Sequence, residues 1–287
     1  MRVSKGVIYM LMATFFFALM NVCVKQISHI PPMETVFFRC FISMLCCFAI
    51  IFYDKLDWRG SDRWRLIARG VAGTTAVYTF FVTLQKLPLA PAVTIQYTSP
   101  IFTTLIAVFV LKESMRPIQY LFFIMSFAGV VLIKGFDGRI SVGYLMLGLF
   151  SALSSAVAYN LVRSLKEKEH PIVVVLHFQI VGTLIGLAGC LFEWKMPQGM
   201  DWFYLIATGL LTQLGQTNLT KALQTERVAI TSSLNYLGIL YAIIFGIIFF
   251  SESYTVTIVT GILLVVAGVV LNIIFGKKQE IPPALDE

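Results

Sequence analysis

The sequence predicts an all-α integral membrane protein whose ten transmembrane helices form two inverted five-helix repeats. Three observations carry that expectation. First, 58% of the 287 residues are hydrophobic and only 13% are charged, with a mean hydropathy of +0.83. A water-soluble domain normally carries about 25% charge. Second, the charges gather into short punctuating stretches and leave ten apolar segments, each near the ~20 residues that cross a bilayer. Third, the word AGVVL occurs at Ala128–Leu132 and again at Ala267–Leu271, a spacing of 139 residues and close to half the chain.

The ten segments, taken as spans 1 to 10, fall at about 6–28, 34–53, 66–86, 91–111, 117–135, 141–163, 172–192, 202–222, 228–250 and 254–275. Connections such as KEKEHP and KESMRP are too short to fold alone, and only 277–287, within GKKQEIPPALDE, reads as a cytoplasmic tail. Span 1 is too long for the apolar region of a signal peptide and lacks an A-x-A site, so it is expected to be retained. The five cysteines, Cys23, Cys40, Cys46, Cys47 and Cys190, all fall inside spans. An odd number argues against a disulfide framework, and no Cys/His spacing resembles a zinc site. They read as small apolar packing residues, and no metal or cofactor is expected.

The net charge is +7. With the N-terminus inside, sixteen Lys and Arg fall on the inner side, Arg63, Arg65 and Arg69 among them; six, including Lys25 and Arg39, fall on the outer side or in the outer half of the membrane. This positive-inside bias places both termini in the cytoplasm of a multi-pass inner-membrane protein. Topology accounts for the basic excess, so no nucleic-acid partner is implied. The expected partners are a small-molecule substrate and the bilayer, with the chain a monomer or a weak homodimer.

The 139-residue offset extends well beyond AGVVL. It aligns 84–132 with 223–271 without a gap and gives 11 identities in 49 positions. Tyr97 falls on Tyr236, Glu113–Ser114 on Glu252–Ser253, and Gly70 on Gly209. Shifting by one residue aligns Lys25 with Arg163 and Arg39 with His177. The repeats are therefore placed at 1–136 and 141–276. Five spans is an odd number, so the second copy enters the membrane from the opposite side. Inverted repeats suit carriers, because nearly equivalent halves can swap conformations and expose one central site to each side in turn. Duplication for packing alone is the other reading. The Ala-Gly pairs in AGVVL suit close helix approach, and inversion puts the two copies toward opposite faces.

The stretch APAVTIQYTSPIFTTLIAVFVLKES followed by FAGVVLI, and VAITSSLNYLGILYAIIFGIIFFSES followed by VAGVVLN, resemble the EamA module of the drug/metabolite transporter superfamily. PPMETVFFRC, with Arg39 early in span 2, fits the same pattern. The resemblance covers nearly the whole chain. It implies ten helices, cytoplasmic termini, a central cavity lined mainly by spans 1, 3, 4, 6, 8 and 9, and alternating-access transport of small organic metabolites. The second copy departs from the first in having Ile239 where the first has Pro100, so span 9 is expected to lack the kink of span 4.

A polar side chain costs free energy in hydrocarbon unless it is paired or faces an aqueous cavity, so polar residues within spans are the informative ones. Gln96–Tyr97 and Asn235–Tyr236 are the leading substrate-binding candidates, and inversion makes the two pairs face each other. Pro100, a kink and candidate gating residue, disturbs the carbonyl four residues back, that of Gln96. Interhelical hydrogen bonding is the plainer role for these residues. In span 8, Gln213, Gln216, Thr217 and Thr220 share one face, and Thr75, Tyr78 and Thr79 give span 3 a weaker stripe. Ser151, Ser155 and Tyr159 recur at four-residue steps in span 6, where the serines suit either a cavity or close packing; Asn21 in span 1 is similar.

Arg39 either snorkels to the interface or clamps a carboxylate or phosphate. His177 either titrates near neutral pH or stands as a neutral hydrogen-bonded ring. Lys25 and Lys221 read as snorkelling residues near helix ends. Glu113 and Glu252 read as carboxylate caps on the positive N-terminal end of the next helix. No Asp or Glu lies in the interior of a span, which weighs against a carboxylate proton relay.

These features favour a carrier of small polar organic metabolites such as amino acids, organic acids and related anionic or amphoteric solutes. The alternative is an integral-membrane enzyme acting on a lipid or lipid-linked substrate. H-E-x-x-H, G-x-S-x-G and paired intramembrane carboxylates are all missing from the sequence, so no enzymatic activity is expected.

Overall fold

The computed structural model describes residues 5–111, 117–134, 140–225, 234 and 236–275. Every regular element among them is an α-helix. In chain order these are α1 (Lys5–Gln26), α2 (Pro32–Tyr53), α3 (Arg63–Lys86), α4 (Leu89–Gln96), α5 (Ser99–Leu111) and α6 (Pro117–Lys134). They continue as α7 (Val142–Ser164), α8 (Pro171–Cys190), α9 (Asp201–Thr225), α10 (Leu237–Phe250) and α11 (Val256–Phe275). Helices α1, α2, α3, α7 and α8 are long and apolar enough to cross a membrane, and shorter apolar stretches lie in α6, α10 and α11.

Local chemistry sets the boundaries. Helices α2, α6 and α8 each begin at a proline, Pro32, Pro117 and Pro171, where the missing N–H costs no helical bond. Asp62 caps α3 by accepting the Arg65 amide at 3.3 Å, satisfying one orphan donor of the first turn. Span 4 is broken at Tyr97–Thr98 into α4 and α5. Pro100 occupies the first turn of α5, a position that proline tolerates.

The helices pair across the halves. Helix α1 packs on α9, α3 on α7, α2 on α8, α6 on α11, and α4 on α10. Exchanging the two halves turns the α1–α9 pair into the α7–α3 pair and leaves each of the other three pairs mapped onto itself. Individual contacts follow the same exchange. A Cβ on Gly70 would lie 2.7 Å from the Val181 Cβ, and one on Gly209 would lie 2.5 Å from the Ile42 Cβ. Each contact becomes the other when every residue is replaced by the one 139 positions away. Likewise Gly182 lies against Cys40, and Gln179 donates to the Ser43 hydroxyl at 2.8 Å.

Helices α6 and α11 run antiparallel with their backbones in contact. A Cβ on Gly129 would lie 2.6 Å from the Gly261 carbonyl oxygen, and one on Gly268 would lie 2.7 Å from the Phe122 carbonyl oxygen. Only glycine allows this approach. These two contacts also interchange under the 139-residue offset. Seven residues, roughly 10 Å of helix, separate the two AGVVL glycines along the seam. They therefore sit nearer each other than the opposite-face expectation required.

The offset is not uniform. In α1 and α7 the buried positions match at 138: Met10 with Gly148, Ala13 with Ser151, Thr14 with Ala152. From α2 and α8 onward the contacts match at 139. The extra residue falls in the connection between α7 and α8.

Candidate functional site

The richest polar cluster lies where α4 ends against α7 and α3. The Gln96 side-chain oxygen accepts from the Ser151 hydroxyl at 2.7 Å, and its amide nitrogen donates to the Ser155 hydroxyl at 2.6 Å. Ser151 also lies 2.6 Å from the Ala76 carbonyl of α3. The serines, four residues apart on one face of α7, thus hold both ends of one amide. Gln96 is engaged in interhelical bonds, and its position fixes the end of α4.

One turn further along α7, Tyr159 interacts electrostatically with Arg69, Arg39, Arg163 and Tyr97. Arg39 of α2 is 1% exposed, so it does not snorkel. Its guanidinium carbon lies 5.3 Å from the ring centre of Phe178 and 6.0 Å from that of Phe81, and one nitrogen donates to the Cys40 sulfur at 3.5 Å. Arg69 of α3 is 3% exposed and lies 4.2 Å from the same Phe178 ring. Gly73 makes the space, since a Cβ there would collide with the Arg69 guanidinium and crowd Phe178. The Nε atoms of both arginines and Nη1 of Arg69 have no hydrogen-bond partner. Among the described residues, no carboxylate lies within ion-pair distance of either arginine.

Tyr97 and Tyr236 meet edge to face beside this cluster, with ring centres 6.1 Å apart, and the Tyr236 hydroxyl donates to the Tyr97 carbonyl at 3.4 Å. The break after α4 therefore presents the Tyr97 carbonyl, one residue beyond the one expected. Asn235 lies outside the described residues.

The EamA-like transporter family matches residues 4–135 and 142–274. The chain belongs to this family. It is 33% identical over 283 residues to human "Solute carrier family 35 member G1", covering 92% of this chain and 77% of that protein. It is 30% identical over 273 residues to the "Pseudopaline exporter CntI" of Pseudomonas aeruginosa, covering 94% and 96%. A solved crystal structure shares the fold with a TM-score of 0.70 at 17% identity, covering 93% of this chain and 96% of its own.

The other candidate residues of the EamA transporter make contacts of their own. Gln213 accepts from Ser43 at 2.6 Å and from the Cys47 thiol at 3.1 Å, while its nitrogen donates to Thr217 at 3.1 Å. It ties α9 to α2. Gln216 is buried with its side-chain oxygen unpartnered. Tyr78 is half-buried against the central apolar core. His177 contacts the Val173 carbonyl at 3.0 Å and lines an open cleft of about 430 Å³ with Trp58, Arg59 and Arg63. It is not the counterpart of Arg39. In α2 and α8 the 139-residue register holds, and the residue matched to Arg39 is Phe178, which it touches.

Two end-of-helix expectations also change. Lys25 does not snorkel. It forms a half-buried ion pair with Glu252 at 3.0 Å, donates to the Leu87 carbonyl at 2.5 Å and lies 5.5 Å from the Phe250 ring centre. Glu252 is a helix cap, but of α4 in the other half rather than of the following helix. Both its oxygens accept the Leu89 amide, at 3.0 and 2.8 Å. Glu113 lies outside the described residues. Arg69 is a buried cation that the charge pattern of the sequence counts simply as one of the inner-side residues. It follows Arg63 and Arg65 closely, yet it lies inside span 3, and the neighbouring Gly70 and Gly73 were the available sign of a tightly packed segment.

Proposed function

We propose that this transporter carries small organic solutes bearing a carboxylate or another anionic group, such as organic acids, amino acids and related amphoteric metabolites. Its mechanism is alternating access through ten spans arranged as inverted repeats, with both termini in the cytoplasm. The observation that carries the reading is Arg39, a fully buried guanidinium with an unpartnered Nε and, among the described residues, no carboxylate partner. An uncompensated charge in a low-dielectric interior is strongly unfavourable. A solute carboxylate that binds guanidinium bidentately removes that penalty for as long as it is bound. Tyr97, Tyr236 and Tyr159 border the same region and offer hydroxyl groups to the remainder of the solute. A relative named as an exporter of pseudopaline supports an organic cargo, and the antiparallel α6–α11 seam supports inversion of the halves.

The test is flux in proteoliposomes, comparing labelled anionic, amphoteric, neutral and cationic metabolites. Anionic and amphoteric solutes are expected to cross, and Arg39→Gln is expected to lower their flux about 100-fold while the protein still folds. Flux confined to cations, or turnover of a lipid substrate without flux of any solute, would sink this reading.

A further inference from the structure

We infer that the substrate is a dianion: Arg39 and Arg69 each bind one of its two anionic groups, with the Phe178 ring as the apolar surface that both guanidiniums share. This rests on the anion-carrier reading above and specifies its cargo. Both guanidiniums are almost wholly buried, both lie against the Phe178 ring, and both keep unpartnered N–H groups. They are within electrostatic reach of each other, so their like charges repel. Contact with the Phe178 face offsets only part of this. Cation–π contact supplies attraction without a neutralising charge.

A monoanion would neutralise one guanidinium and leave the other buried and uncompensated. A solute with two anionic groups neutralises both and satisfies the planar donor forks on each side. The chemical class is therefore an organic dicarboxylate, or a solute joining a carboxylate to a second anionic group. Gly73 belongs to this device because any larger residue there would push Arg69 out of place.

The experiment measures melting of the purified transporter with matched mono- and dicarboxylates of three to six carbons at constant ionic strength. It is paired with counterflow of the same solutes in proteoliposomes. Dicarboxylates are expected to raise the melting temperature at about tenfold lower concentration than the matched monocarboxylates, the ratio that 1.4 kcal/mol of differential binding produces. Arg69→Gln is expected to melt higher than the parent when empty, because a repelling charge is gone, and to lose the preference for dicarboxylates. Arg69→Lys keeps the charge and is expected to retain the preference with weaker binding.

If Arg69→Gln melts lower when empty and keeps the parent's ratio of di- to monocarboxylate binding, Arg69 is a packing residue and the inference is overturned. Equal flux of mono- and dicarboxylates overturns the inference and leaves the anion-carrier reading standing. Absence of flux and of stabilisation with every carboxylate overturns both.

Discussion

The α3–α7 pair and the α1–α9 pair occupy equivalent places in the two-fold pattern, yet their chemistry differs. On the first flank, Ser151 and Ser155 of α7 hold Gln96, and Tyr159 interacts electrostatically with Arg39 and Arg69. The matching α1 positions are Ala13, Phe17 and Asn21, and Thr208 of α9 stands where α3 has Arg69. There the contacts are softer: the Thr212 hydroxyl lies 3.1 Å from the Met20 sulfur, and Phe17 packs on Gly215. Asn21 and Gln216 are buried amides with unpartnered oxygens, but neither carries charge. The two halves share a scaffold, and the buried arginines border one flank only. The proposed alternation would then be nearly symmetric in shape, with the proposed anion site on one flank.

The comparison can be broken most directly at Arg39. Arg39→Gln should lower flux by about 100-fold, the upper range for losing a charged hydrogen-bonding pair, whereas Thr208→Val on the opposite flank should stay within about twofold. Equal losses in a proteoliposome assay would mean that the flanks are functionally alike. Next, Ser151→Ala with Ser155→Ala should reduce flux by roughly tenfold, since two interhelical hydrogen bonds at about 0.6 kcal/mol each are lost together. Asn21→Ala should have less effect in the same assay.

Glu252→Gln should lower thermal stability by about 2 kcal/mol, combining a lost cap with a half-buried lysine left unpaired. Calorimetry of the Lys25→Met, Glu252→Gln double variant should recover part of that loss. The smallest effect is expected from Tyr236→Phe, about two- to threefold in uptake, because its 3.4 Å hydrogen bond is long and weak.

Much of the helical architecture could be read from hydropathy, since α1, α2, α3, α7 and α8 follow apolar segments that charges and prolines delimit. The Pro100 disturbance was also legible, although the break settles at Tyr97 because proline fits the first turn of the following helix. The pairing of Lys25 with Glu252 was not legible. Those residues are far apart in sequence, and nothing local tells a lysine at a helix end whether it meets water or a carboxylate. Likewise, matching Arg39 to His177 extended a one-residue shift beyond the connection that contains the extra residue. In the candidate site, Tyr97 and Tyr236 follow from the repeat itself. Arg69 escaped because counting charges by loop ignores how far α3 carries them inward.

The glycine seam between α6 and α11 bears on the proposed alternating cycle. Two contacts that exchange with each other look the same whichever half adopts which conformation, so in the proposed cycle the seam can act as a fixed bearing. Its free energy enters both end states equally and leaves the balance between them unchanged. A bulky side chain at Gly129 should therefore lower the yield of folded protein without biasing the direction in which the carrier rests. The Lys25–Glu252 pair lies off that seam, and in the proposed cycle Glu252→Gln is expected to shift the resting orientation where a Gly129 substitution does not.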